Sequence, residues 1–133
     1  RNPKTYILND NPHKKNTGLQ RLFFALINSL SGFNFAFKEE SAFRQELLLS
    51  VLLFPSIFFF PTSPVEKILM IGSLLILLIV ELLNSSVEAA IDRISFSQHD
   101  LSKRAKDLGS AAVFLSLLLV LITFTVIITK HII

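Results

Sequence analysis

Two glutamates seven residues apart, Glu81 and Glu88, are the only charged residues between Ile68 and Ile91. If that apolar tract crosses a bilayer, each acid costs free energy unless it faces a protein interior, where such groups usually perform a function. On a helix advancing about 100° per residue, Glu81, Asn84, Ser85, Glu88 and Asp92 fall on one side and Leu83, Val87, Ala90 and Ile94 on the other. Glu88 lies near the charged end marked by Asp92 and Arg93, and Glu81 lies two turns, about 10.5 Å, further in. A water-soluble reagent would meet Glu88 first, and the polar head of a lipid would be closer to Glu81. The deep carboxylate suits a general base, and the shallow one suits a hard divalent cation bound through oxygen. The competing reading is a stripe that only glues helices together by hydrogen bonds. Two carboxylates are a costly adhesive where Asn or Ser would serve.

Two further clusters can join this stripe. The run Glu39-Glu40-Ser41-Ala42-Phe43-Arg44-Gln45-Glu46 enters the first apolar tract. Glu40 is a candidate second metal ligand, because one Glu seldom holds magnesium alone. Glu39 and Arg44 read as interfacial charges, and Glu46 as an acid that could snorkel to the interface. The loop from Ser97 to Asp107 supplies His99, Lys103, Arg104, Lys106 and Asp107. Acids that hold a cation beside cations that hold phosphate make a site for phosphoryl transfer, whose transition state needs alignment and charge neutralisation more than covalent chemistry. The glycines at 18, 32, 72 and 109 are too scattered for a GxxxxGK phosphate loop. His13 and His131 have no evident role.

The elements that must position these residues follow from composition. Of 133 residues, 51% are hydrophobic and 17% charged, and the mean hydropathy is +0.58. A soluble domain this small could not hide so much apolar surface in one core, which points to an all-α membrane protein. Without cysteine, disulfides and thiolate sites are excluded. Leu47–Val65 is uncharged for 19 residues and Leu108–Thr129 for 22, and the latter covers about 33 Å as a helix, enough for a bilayer core. Pro55, Pro61 and Pro64 fall in the first tract, so its helix should start before Leu47 and end near Phe60. The predicted spans are about 41–60, 65–94 and 107–130. The first tract is too long and too late to be a signal peptide, and the chain opens on Arg1 rather than Met, as a fragment would.

Of the 13 Lys and Arg, seven precede the uncharged tract that begins at Leu47 and four fall from Arg93 to Lys106, leaving only Lys67 and Lys130 on the other side. The positive-inside rule reads this as N-terminus in and C-terminus out. The basic pI of about 9.5 is thus mostly topology, not nucleic-acid binding. Residues 1–17 read as a flexible cytoplasmic N-terminus. Residues 18–37, rich in Phe and Leu with Arg21, Asn28 and Asn34 interspersed, read as an amphipathic helix in the cytoplasmic interface, with Gly32 as a break or bend.

Over about residues 18–130 the chain resembles the prokaryotic diacylglycerol kinases. The likeness is carried by ELLNSSVEAAIDRI (Glu81–Ile94), HDLSKRAKDLGSAAV (His99–Val113) and AFRQE (Ala42–Glu46). The resemblance implies three transmembrane helices plus an N-terminal surface helix, assembled as a homotrimer with active sites shared between subunits, in the bacterial inner membrane. It implies transfer of the γ-phosphate of magnesium-ATP to diacylglycerol, giving phosphatidic acid. By position in the motifs, Glu81 matches the catalytic base, Asn84 a polar residue supporting the site, and Glu40 and Glu88 the Mg2+ ligands that also face ATP. Lys106, Asp107 and His99 match nucleotide contacts, and Arg21 matches a basic residue reaching phosphate and lipid. Ala42, Phe43, Arg44, Gln45, Glu46 and Ser110 match positions lining the lipid site.

There are departures. Asn28, counted with the nucleotide contacts, stands where better-known members carry tyrosine. Ser31 replaces a lysine, and Ser97 and Gln98 replace an acidic and aromatic pair. Two other readings compete: an undecaprenol kinase, and a small membrane transport or interaction protein whose acid stripe lines a proton or cation path.

Overall fold

A computed structural model describes residues 17–94 and 99–133. All but Thr17 of the segment expected to be flexible, residues 1–17, and the departures at Ser97 and Gln98 lie outside the described residues. The described residues form four helices and no strand: α1 (Gly18–Glu39), α2 (Ser41–Phe59), α3 (Pro64–Ile94) and α4 (Asp100–Ile132). By compactness the chain divides into Arg1–Phe35 and Ala36–Ile133.

The first unit holds most of α1. Gly18 opens the helix at φ 65°, a conformation that only glycine adopts without strain. Leu19, Leu22, Leu26, Leu30 and Phe33 recur at helical spacing and are all exposed. The break expected at Gly32 is absent, since the helix runs through it to Glu39. A lone glycine costs about 1 kcal/mol relative to alanine inside a helix, too little to stop one already propagating.

In the second unit, Glu40 alone separates α1 from α2. Its backbone is extended (φ −111°, ψ 104°), and its side chain makes no cap bond to the helix it precedes. α2 carries Pro55 internally and ends at Phe59, ahead of Pro61. Thr62 Oγ1 donates to the Ile57 carbonyl (2.7 Å), satisfying one of the carbonyls the helix end leaves free. α3 then starts with a capping box. The Ser63 N–H donates to Glu66 Oε1 (2.8 Å), the Glu66 N–H donates to Ser63 Oγ (3.2 Å), and Pro64 holds the first helical position. α4 begins at Asp100, seven residues before the expected span. His99 Nδ1 accepts from the Leu101 N–H (3.1 Å), and Lys103 pairs with Asp107 one turn on (2.6 Å). What reads as a basic loop by charge is therefore mostly the polar first turns of a helix.

α3 packs against both α2 and α4. Ile57 from α2, Met70, Leu74 and Leu77 from α3, and Val120, Phe124 and Ile127 from α4 form one buried cluster. The α3 and α4 members are spaced three and four apart, as packed helix faces require. All three helices are long and apolar enough to cross a membrane. The same α3 face that buries Met70 and Leu77 continues through Glu81, so core packing fixes where that acid points. At the opposite end of α3, Glu66 accepts from Lys130 Nζ and bonds His131 Nε2, each at 3.0 Å, which gives His131 a role that its sequence position does not suggest. Leu77, fully buried, sets a test of this packing. Leu77→Ala is expected to cost about 2 kcal/mol in a detergent unfolding titration. That is the low end for a core leucine, because in lipid only the packing loss remains and no transfer from water adds to it.

Candidate active site

One face each of α2, α3 and α4 meets below the inner turns of the bundle and leaves a cavity of about 360 Å3. It is lined by Glu40, Ser41, Ala42, Glu46, Glu81, Asn84, Ser85, Glu88, Ser110 and Val113. Four acids from two stretches of the chain thus converge. Glu40 comes from the extended residue between helices, where a carboxylate spared from capping stays available. Glu46 follows on the buried face of α2 that also carries Phe43, Ser50 and Ile57. Glu81, Asn84, Ser85 and Glu88 come from the polar stripe of α3, brought to one cavity by helical periodicity.

The acids differ in depth. Glu81 is 4% exposed and Glu46 is 8% exposed, whereas Glu88 and Glu40 are half-buried. Ser85 Oγ donates to Glu81 Oε2 (3.3 Å), orienting that carboxylate along its own helix. The Glu46 carboxyl lies against that of Glu81. The expectation that Glu46 snorkels is therefore corrected: it is buried on the packed face of α2 and lines the cavity instead of reaching along the helix surface. Its Oε1 and the Oδ1 of Asn84 are buried with no hydrogen-bond partner among the described residues. Glu88 is close enough to feel the charges of Glu40, Glu81 and Asp92 and of the cation Lys106.

Of the other expected site residues, Ala42 and Ser110 line the cavity; Phe43 is buried in the α2 face, and Arg44 and Gln45 are exposed. Arg44 donates to the carbonyls of Phe37 (2.9 Å) and Lys38 (3.0 Å), covering backbone groups at the end of α1. Lys106 lies beside the cavity, paired with Asp92 (3.0 Å), and Asp107 pairs with Lys103. His99 caps α4. Arg21 and Asn28 belong to the first unit. Gly109, which carries no side-chain signal in the sequence, abuts Asn84 across the α3–α4 contact.

Among the described residues no three His, Asp or Glu side chains form a ready-made metal cage. The hard oxygens of Glu40 and Glu88 nevertheless fit Mg2+, which typically takes one or two carboxylates and completes its shell with water and substrate phosphates.

The fold and cavity define an all-helical protein with three candidate membrane spans and a carboxylate-lined site near one end. The profile of the prokaryotic diacylglycerol kinase family matches residues 27–128. The chain is 48% identical to a diacylglycerol kinase of Pseudomonas aeruginosa over 120 residues, covering 90% of this chain and 98% of the relative. It is 49% identical to that of Haemophilus influenzae over 106 residues (80% and 90%), and 37% identical to that of Escherichia coli over 115 residues (86% and 94%). The chain belongs to the prokaryotic diacylglycerol kinase family.

Proposed function

We propose that this protein is a lipid kinase that transfers the γ-phosphate of Mg-ATP to the free hydroxyl of diacylglycerol, giving phosphatidic acid and ADP. The observation that carries the reading is the depth order in one cavity, with a nearly inaccessible Glu81 below a half-buried Glu88 and Glu40. Glu81 accepts the hydroxyl proton as the lipid oxygen bonds to the γ-phosphorus, and the bond to the bridging oxygen breaks with its electron pair leaving on ADP. Ser85 holds Glu81, and Asn84 supports the transferring group. Glu88 and Glu40 would hold Mg2+ at the nucleotide end of the site. When bound, the ion neutralises charge developing on the phosphoryl oxygens.

Ala42 to Glu46 and Ser110 flank the lipid headgroup. Lys106, Asp107 and His99 contact the nucleotide, which requires the Lys106–Asp92 and Lys103–Asp107 pairs to open. These pairs are exposed, so opening them costs little. Lys106→Ala should therefore raise KM for ATP about tenfold and leave KM for the lipid unchanged in steady-state assays.

In this reading residues 18–133 are one kinase domain in the bacterial inner membrane, with the N-terminus cytoplasmic and α1 lying in the interface on its apolar stripe. The large apolar residues that α2, α3 and α4 leave exposed suit lipid and two further copies in a homotrimer whose sites are shared. The test supplies diacylglycerol and undecaprenol together in mixed micelles with Mg-ATP. Phosphatidic acid as the dominant product is expected; undecaprenyl phosphate would move the acceptor, and no lipid product would favour a transport role.

A further inference from the structure

On α4, Gly109 faces the Asn84 side chain of α3. A Cβ there would overlap Asn84 Oδ1 and stand 3.2 Å from its Cγ, and the three nearest atoms it would meet all belong to Asn84. Gly32 and Gly72, also helical, have nothing within 4 Å, so neither makes such a contact. The space left by the missing methyl at 109 is thus taken up by one amide. That amide's oxygen is buried without a donor. Hydrogen bonding does not explain why it points there; the notch in α4 does.

We propose that Gly109 is a positioning residue: it seats the Asn84 oxygen against α4 and so turns the amide's NH2 end toward the acid cavity. The two ends of a planar amide point apart. Glu81 and Glu88 line that cavity, and an NH2 can donate to a carboxylate or phosphoryl oxygen where a C=O would repel either. A side chain at 109 would meet only the far end of a flexible residue, so the helices can keep their packing while the amide swings away. The inference rests on the proposed phosphoryl-transfer site and adds to it a residue that touches no substrate.

The test compares Gly109→Ala, Asn84→Ala and the double variant as full chains in mixed micelles with Mg-ATP and diacylglycerol. Gly109→Ala is expected to keep the wild-type thermal midpoint and lipid KM while kcat falls about 10- to 100-fold. The double variant should be no slower than Asn84→Ala, because with the amide gone the new methyl strikes nothing. Wild-type kcat in Gly109→Ala alongside a loss in Asn84→Ala overturns the inference and leaves the site reading standing. Losses that multiply in the double variant also overturn it, since Gly109 then serves helix packing. If Gly109→Ala does not fold, a folded double variant with the Asn84→Ala rate supports the inference and an unfolded one overturns it. No loss in Asn84→Ala overturns the assigned role of Asn84, and this inference with it.

Discussion

Glu81→Gln is expected to fold, to bind Mg-ATP normally and to form phosphatidic acid about 10^3-fold more slowly than wild type. The substitution is nearly isosteric and keeps an oxygen that Ser85 can still bond, so the packed face running from Met70 through Leu77 is undisturbed. What it removes is the ability to take a proton, and a positioned general base contributes about 10^2- to 10^4-fold. The loss should fall on kcat, with KM for ATP within a factor of about two, because Glu81 is more deeply buried than Glu40 and Glu88, the acids proposed to meet the nucleotide. Residual ATP hydrolysis without lipid product would show the nucleotide end of the site intact.

Glu88→Gln should behave differently. If Glu88 and Glu40 hold the metal as proposed, the Mg2+ concentration for half-maximal activity should rise at least about tenfold, and kcat at saturating metal should fall about 10^2-fold. Glu40→Gln should shift the metal dependence in the same direction, since both half-buried acids line the same cavity. A titration of initial rate against Mg2+ at fixed ATP separates these variants from Glu81→Gln, whose metal dependence should match wild type. Chelation of Mg2+ should abolish turnover in all of them.

Much of this arrangement is readable from spacing. The stripe Glu81, Asn84, Ser85, Glu88 follows from a 3.6-residue period, and the three long helices follow from three strongly apolar tracts, of which Leu108–Thr129 is uncharged over more than a bilayer core. What the sequence hides is what depends on contacts between distant positions. Glu46 looks free to snorkel until α2 packs and its face, shared with Phe43 and Ser50, turns inward. Glu66 and His131 are 65 residues apart and meet only because α3 and α4 are nearly equal in length. Gly109 gives no periodic signal at all, since its significance lies in the atom it lacks. The start of α4 is obscured for a local reason, because charge and His99 read as a loop while their i,i+4 pairing and capping build a helix.

The most direct measurement follows the γ-phosphorus itself. Purified full-length protein in mixed micelles, with diacylglycerol as sole acceptor and γ-labelled Mg-ATP, should place label in phosphatidic acid in a one-to-one ratio with ADP formed. In the same micelles Glu81→Gln should place almost none there. Label appearing only as free phosphate, or equal lipid labelling by wild type and Glu81→Gln, would contradict the assignment of the deep carboxylate as the base of a lipid kinase.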